Sequence, residues 1–171
     1  WSDAQRGGGG GFGSGGQHSD FMEGWYAHTA GLKVVIPSTP ADAYGLMRSA
    51  IDDPDPVMVF EHKLLYKMKG EVPEAAYRIP IGKAAVRREG RHVTIVATSI
   101  MVHRALEAAE VLAGEGIEIE VIDLRTLRPL DTAVILASVR KTRRAVVIDE
   151  GWKTGGLAAE ICAQIAEQAF Y

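Results

Sequence analysis

A single cysteine, Cys162, in 171 residues rules out an internal disulfide and leaves the chain compatible with a reducing compartment. Its place on the apolar stripe of the last helical pattern reads as a buried filler, not a nucleophile. Long hydrophobic runs are also missing: no stretch approaches the roughly 20 residues needed to cross a membrane, and no signal-peptide pattern opens the chain. Charge of one sign is lacking as well. Nineteen Lys and Arg against 22 Asp and Glu leave a net charge of −3. The basic residues are scattered, which argues against a nucleic-acid partner. Their one cluster, Arg140–Arg144, closes a helical pattern, where cations complement the macrodipole. His28, His92 and His103 share no metal-ligand spacing with one another or with the cysteine, so they read as structural or solvent-facing. What is abundant is apolar residues, 47% of the chain. That suffices for the core of one ordinary domain or two small ones. The chain starts at Trp1 and stops at Phe170-Tyr171 inside a helical pattern, so both ends read as cuts in a longer polypeptide.

Strand and helix signals alternate along most of the chain. Phe21–Ala30 predicts a short helix, with Gly31 as C-cap, and Leu32–Ile36 a strand. Thr39 is a natural N-cap, with Pro40 at the first helical position and Asp42 facing the dipole. Ala43, Leu46, Met47, Ala50 and Ile51 then recur at helical spacing. Pro56–Glu61 predicts another strand. Periodicity fails over 62–82, where Gly70, Pro73 and Pro80 suggest a linker. Beyond it come a strand at Val93–Thr98, a helix ending near Gly114 and Gly116, and a strand from Ile117 to Leu124. A helix opened by Asp131 as N-cap, a strand at Ala145–Ile148 and a final helix follow. This order implies an α/β fold with mainly parallel sheets flanked by helices.

Three places could carry chemistry. Eight glycines lie between Gly7 and Gly16. They match Gly-x-Gly-x-x-Gly twice, but without the strand before and helix after that a dinucleotide site requires, so a Rossmann reading fails. Gln17, His18 and Ser19 follow. A glycine loop can bring an imidazole against a cofactor without steric conflict, and His18 could move protons near neutral pH; the alternative is a solvated histidine. In Ala50–Pro56, three carboxylates meet the negative end of a helix, which a bound cation would relieve; the alternative is a solvated acidic turn. Glu150–Gly156 puts a glycine pair at a helix start, able to hold an anion. His62, at a strand end, suits a structural hydrogen bond or a partner contact equally.

The string Arg125-Thr-Leu-Arg-Pro-Leu-Asp131 answers to no physical rule. Together with Gly15–Ser19, Gly31–Ser38, Phe60–Tyr66, Gly70–Glu74 and Asp123–Leu124 it resembles the beta subunits of the thiamine-diphosphate-dependent decarboxylating component of 2-oxoacid dehydrogenase complexes, in the transketolase-like superfamily. The likeness runs from about Gly7 to Tyr171. It implies that residues 1–65 are the second half of a pyrimidine-binding domain, 66–82 a linker, and 83–171 most of a transketolase C-terminal domain. It implies that His18 contacts the thiazolium and substrate side of thiamine diphosphate, flanked by Gln17 and Ser19, and aids reductive acylation of a lipoyl group. It also implies potassium held by Ala50, Ile51 and Asp53 carbonyls with Asp55, although the family usually has Asn at that last position. The implied partners are an alpha subunit, which carries the diphosphate and magnesium site, in a heterotetramer of two alpha and two beta, and a lipoyl acyltransferase core protein. The Glu150–Gly156 loop would lie in such contacts, and Arg125 and Arg128 would brace domains or subunits. The activating glutamate is expected upstream of Trp1 and the last strand beyond Tyr171. The substrate expected is pyruvate, with acetoin and branched-chain 2-oxoacids as alternatives. The location expected is the bacterial cytoplasm, or the mitochondrial matrix in a eukaryote. A rival of another class is a non-catalytic α/β module for subunit contact.

Overall fold

The computed structural model describes the backbone of Arg6–Gly8 and residues 20–169. Two four-stranded sheets organise it. The first half contributes β1 (Arg6–Gly8), α1 (Glu23–His28), β2 (Lys33–Val35), α2 (Pro40–Asp52) and β3 (Val57–His62), followed by a 3-10 turn at Lys63–Lys67. The second contributes β4 (Ala85–Arg88), β5 (Val93–Ala97), α3 (Ser99–Ala113), β6 (Ile119–Asp123), β7 (Thr126–Arg128), α4 (Thr132–Thr142), β8 (Ala145–Ile148) and α5 (Leu157–Ala169). The sheet orders are β1-β3-β2-β7 and β4-β6-β5-β8. Each is parallel except for one antiparallel edge, β7 on β2 and β4 on β6.

Both antiparallel edges escape the apolar pattern. β4 carries two arginines and an exposed Val86, and β7 ends in an exposed Arg128, so neither shows the alternation that marks a half-buried strand. β7 has a topological effect: it leaves the second half and pairs Arg128 and Thr126 with Val34 and Val35 of the first sheet. The halves also share one core, in which Val34, Ile36, Met58 and Phe60 pack with Ile122, Leu124, Ile135, Val139 and Ile161.

Local signals explain most element ends. Thr39 Oγ1 accepts the Asp42 N–H at 3.1 Å, and Pro40 opens α2. The irregular 66–82 segment is strapped to α2. Tyr77 Oη donates to the Ala41 carbonyl at 2.7 Å, and Ser49 Oγ to the Ile79 carbonyl at 2.6 Å. Gly45 permits this approach, because a Cβ there would stand 2.6 Å from the Ile79 side chain.

Three expectations need correction. Asp131 sits at the N-cap position of α4 but makes no side-chain cap; its carboxylate instead accepts the Ala84 N–H at 3.1 Å, tying the entrance of β4 to α4. Cys162 is exposed, because Ile161 takes the buried position on α5. α1 is shorter than Phe21–Ala30: its C-cap is Thr29, and Gly31 follows in a left-handed turn at φ +81°.

Candidate functional site at the strand carboxyl ends

Parallel sheets present ligand sites beyond their strand carboxyl ends. Here those ends meet across the two halves, and the meeting point is filled by the chain's own charges. Ser38, beyond β2, donates to Asp123 at the end of β6 at 2.5 Å. Arg87 of β4 donates to Asp123 at 2.7 Å and also to Asp42 on α2. Burial works against the Arg87 charge, but Asp123 and then Asp42 outweigh it and hold the guanidinium pKa above its ordinary value. Arg125, at φ +55°, donates to the Lys83 and Ala84 carbonyls at 3.0 and 3.1 Å and lies 3.4 Å from Asp42. His103 Nε2 meets the Ser38 carbonyl at 2.7 Å. Breaking one member of such a buried set costs about 3–5 kcal/mol, because a charge is left uncompensated. The junction is therefore a clasp between the halves. It answers the question the Arg125 motif raised: Arg125 braces the halves, whereas Arg128 points to solvent.

A second group lies at the ends of β3 and β8. His62, 2% exposed, accepts the Leu64 N–H through Nδ1 at 3.2 Å, so its Nε2 carries the proton toward Glu150, 3.2 Å away. Asp149 accepts the N–H groups of Gly151 and Ala158 at 3.0 and 3.3 Å. The anion-binding start of α5 is thus occupied by the chain's own carboxylate. Gly156 makes this turn possible, since a Cβ there would fall 2.0 Å from the Trp152 carbonyl oxygen. Glu23 faces the same region. Its carboxyl is buried, Oε2 has no hydrogen-bond partner among the described residues, and burial with the nearby charges of Asp149 and Glu150 pushes its pKa up to about 8. No sequence signal marked Glu23; its neighbours Asp149 and Glu150, just after β8, are over a hundred residues away.

Gln17, His18 and Ser19 lie outside the described residues. The two ends of their segment do not. Gly8 pairs with His62, and Phe21 lines a cavity with Glu23, Asp149 and Gly151. Both therefore stand at this second group of strand ends.

The acidic turn after α2 is compensated from within. Lys33 Nζ donates to both Asp53 oxygens at 2.7 and 2.9 Å and stands 3.1 Å from Asp55, and Arg78 pairs with Asp52. Against the effect of burial, Lys33 and the Asp55 N–H hold the Asp53 carboxyl below its ordinary pKa. The Ala50 carbonyl accepts only a long bond, 3.4 Å, from the Asp53 N–H. Last-turn carbonyls of this kind are hard oxygen donors of the type potassium takes. Their chemistry fits the ion; the carboxylates already have cations. Among the described residues no cluster of three His, Cys, Asp or Glu could hold a metal, and no helix is long and apolar enough to cross a membrane.

A sequence profile of the transketolase C-terminal domain matches residues 82–171, more than half of the chain. The chain belongs to the transketolase family. The profile of the transketolase pyrimidine binding domain matches residues 5–69. Among curated relatives, the chain is 54% identical over 162 residues to the beta subunit of acetoin:2,6-dichlorophenolindophenol oxidoreductase from Cupriavidus necator, with 95% of this chain and 48% of that one covered. It is 51% identical to the pyruvate dehydrogenase E1 component beta subunit of Bacillus subtilis, over 89% of this chain and 47% of that one. For the mitochondrial counterpart of Bos taurus the identity is 52%, covering 88% and 43%. The chain thus spans somewhat under half the length of these relatives. Among solved structures, a split-gene transketolase described as an inactive beta4 tetramer superposes with a TM-score of 0.79 at 28% identity, covering 90% of this chain and 50% of that one. The fold and the resemblance of the chain to 2-oxoacid dehydrogenase beta subunits stand on these findings.

Proposed function

We propose that this chain forms part of the beta subunit of a 2-oxoacid dehydrogenase decarboxylating component and supplies one wall of an active site shared with an alpha subunit. The observation that carries the reading is the anchoring of residues 9–19. The segment with Gln17, His18 and Ser19 leaves from Gly8, beside His62, and returns at Phe21, beside Gly151. Both anchors are at strand carboxyl ends, where such sheets serve ligands. Identities of 51–54% to pyruvate and acetoin enzyme beta subunits supply the reaction class.

Thiamine diphosphate fits this chain only in part. Asp149 and Glu150, whose charges help keep the buried Glu23 carboxyl protonated, make the described wall negative, which repels a diphosphate. The diphosphate and its magnesium then belong to the alpha subunit. The glycines preceding Gln17 suit close approach to the ring end. When bound, the cofactor supplies the carbanion-stabilising centre for decarboxylation. On this chain His18 orients the substrate and holds or moves a proton during acyl transfer to a lipoyl group of the core protein. Residues 1–65 act as the second half of a pyrimidine-binding domain, 66–82 as a linker and 83–171 as most of a transketolase C-terminal domain. The last-turn carbonyls of Ala50, Ile51 and Asp53, with Asp55, seat a potassium ion.

Pyruvate is the substrate proposed; the Cupriavidus relative favours acetoin as the second reading. The test is the full-length beta subunit purified with its alpha subunit and assayed with pyruvate, branched-chain 2-oxoacids and acetoin. The expected result is thiamine-dependent turnover with pyruvate exceeding the others. Turnover with acetoin alone would select the second reading, and no thiamine-dependent turnover with any of them would reject the enzyme.

A further inference from the structure

The carboxyl of Glu23 is 3% exposed and its Oε2 has no partner among the described residues. A buried carboxyl left this way is unfavourable unless something beyond the described residues satisfies it. It lines a cavity of about 160 Å³ together with Asp149, and no Lys, Arg or His is among the described lining residues. Two tryptophans stand at the same cavity and face solvent, Trp25 75% and Trp152 83% exposed. Asp149 already accepts two backbone N–H groups, so the free acceptor is Glu23.

We propose that this cavity receives an arginine side chain of a partner subunit, with its guanidinium on Glu23 and its plane against Trp25 and Trp152. This rests on the reading of the chain as one subunit of an assembly. Each feature of the cavity selects that occupant. A desolvated carboxyl beside the charges of Asp149 and Glu150 ionises only against a cation with directed N–H donors, and flat indole faces stack on guanidinium better than on ammonium. A bare metal ion would find only one free carboxyl among the cavity's described lining residues. Contacts of this type, a charged pair shielded by aromatic side chains, carry much of the energy of interfaces.

Occupation has a measurable proton signature. Without the partner the Glu23 carboxyl titrates near pH 8, because of its burial beside Asp149 and Glu150; with a guanidinium on it, it titrates well below. Association then releases a proton, and affinity rises up to about tenfold per pH unit toward pH 8 and levels off above it. Among the described residues the other groups facing the site are Asp149, Glu150 and His62 behind it; any slope they contribute persists when Glu23 is neutralised.

The experiment measures the dissociation constant of the full-length beta subunit from its alpha subunit between pH 6 and 9. Variants are Glu23→Gln and, as an exposed position that folding does not use, Trp152→Ala. At pH 8, Glu23→Gln is expected to weaken association at least tenfold and to lose the pH slope, and Trp152→Ala to weaken it at least threefold. Dissociation constants within threefold of wild type for Glu23→Gln, or an unchanged pH slope, overturn the proposal. Should Glu23→Gln not fold, Trp152→Ala decides alone: a change under threefold overturns the contact. Turnover is measured on the same samples. Active wild-type complex with indifferent variants rejects the arginine contact and leaves the enzyme reading standing; a wild-type complex that assembles without turnover does the reverse.

Discussion

Lys33 and Asp53 show how a single residue changes the reading of a motif. In the sequence the turn after α2 is three carboxylates against a negative helix end; in the fold, Lys33 pairs with Asp53 and Asp55 and Arg78 with Asp52. The Asp53 pKa is depressed below its ordinary value of 3.8 despite burial. Its contribution to stability is thus present above that value and is lost as pH falls through the depressed one. Lys33 is shifted upward, so its share persists below its ordinary 10.5 and is lost only as pH rises beyond it. In full-length protein carrying Lys33→Met, NMR titration should show the Asp53 carboxyl pKa rising, because only the Asp55 N–H then opposes burial. An Asp53 pKa that does not rise would show that Lys33 is not its partner in solution. Glu23 is the residue that sequence could not announce. Its importance comes from a missing partner and from Asp149 and Glu150, and neither is a property of its neighbours in the chain.

At the level of elements, the parallel strands and their helices were legible from sequence because each signals itself. β5 and β6 carry β-branched runs, Thr39-Pro40 starts α2, and Gly114 closes α3. The antiparallel edges β4 and β7 were not, since their arginines serve the clasp and the solvent face and erase the apolar alternation. Asp131 failed as a predicted side-chain cap for a related reason: a carboxylate at a cap position can be claimed by another element, here the Ala84 N–H. The end of α2 also carries the potassium proposal. Because the carboxylates are already paired, the ion would gain only what the last-turn carbonyls and Asp55 offer. Replacing sodium by potassium at constant ionic strength is expected to stabilise the full-length subunit by about 1 kcal/mol, roughly 2–4 °C in melting temperature. Equal melting in the two salts would leave Lys33 and Arg78 as the turn's only cations.

For the molecule as a whole, the two halves are bound by the shared core, by β7 crossing to the first sheet and by the buried Asp42–Arg87–Asp123 clasp. This fills the space between the strand ends at the junction and leaves the ends of β3 and β8, with His62 and Glu150, as the open position. The resemblance that named the family rests on a structural junction, Arg125–Asp131, while the proposed chemistry belongs to the segment anchored beside His62. The decisive measurement is reductive acylation of a lipoyl domain by the full-length alpha and beta complex with pyruvate, comparing wild type with His18→Ala. The expected result is a loss of about a hundredfold or more in acylation rate, with the assembled complex unchanged in size. Acylation at the wild-type rate would remove His18 from the reaction and with it the proposed active-site wall.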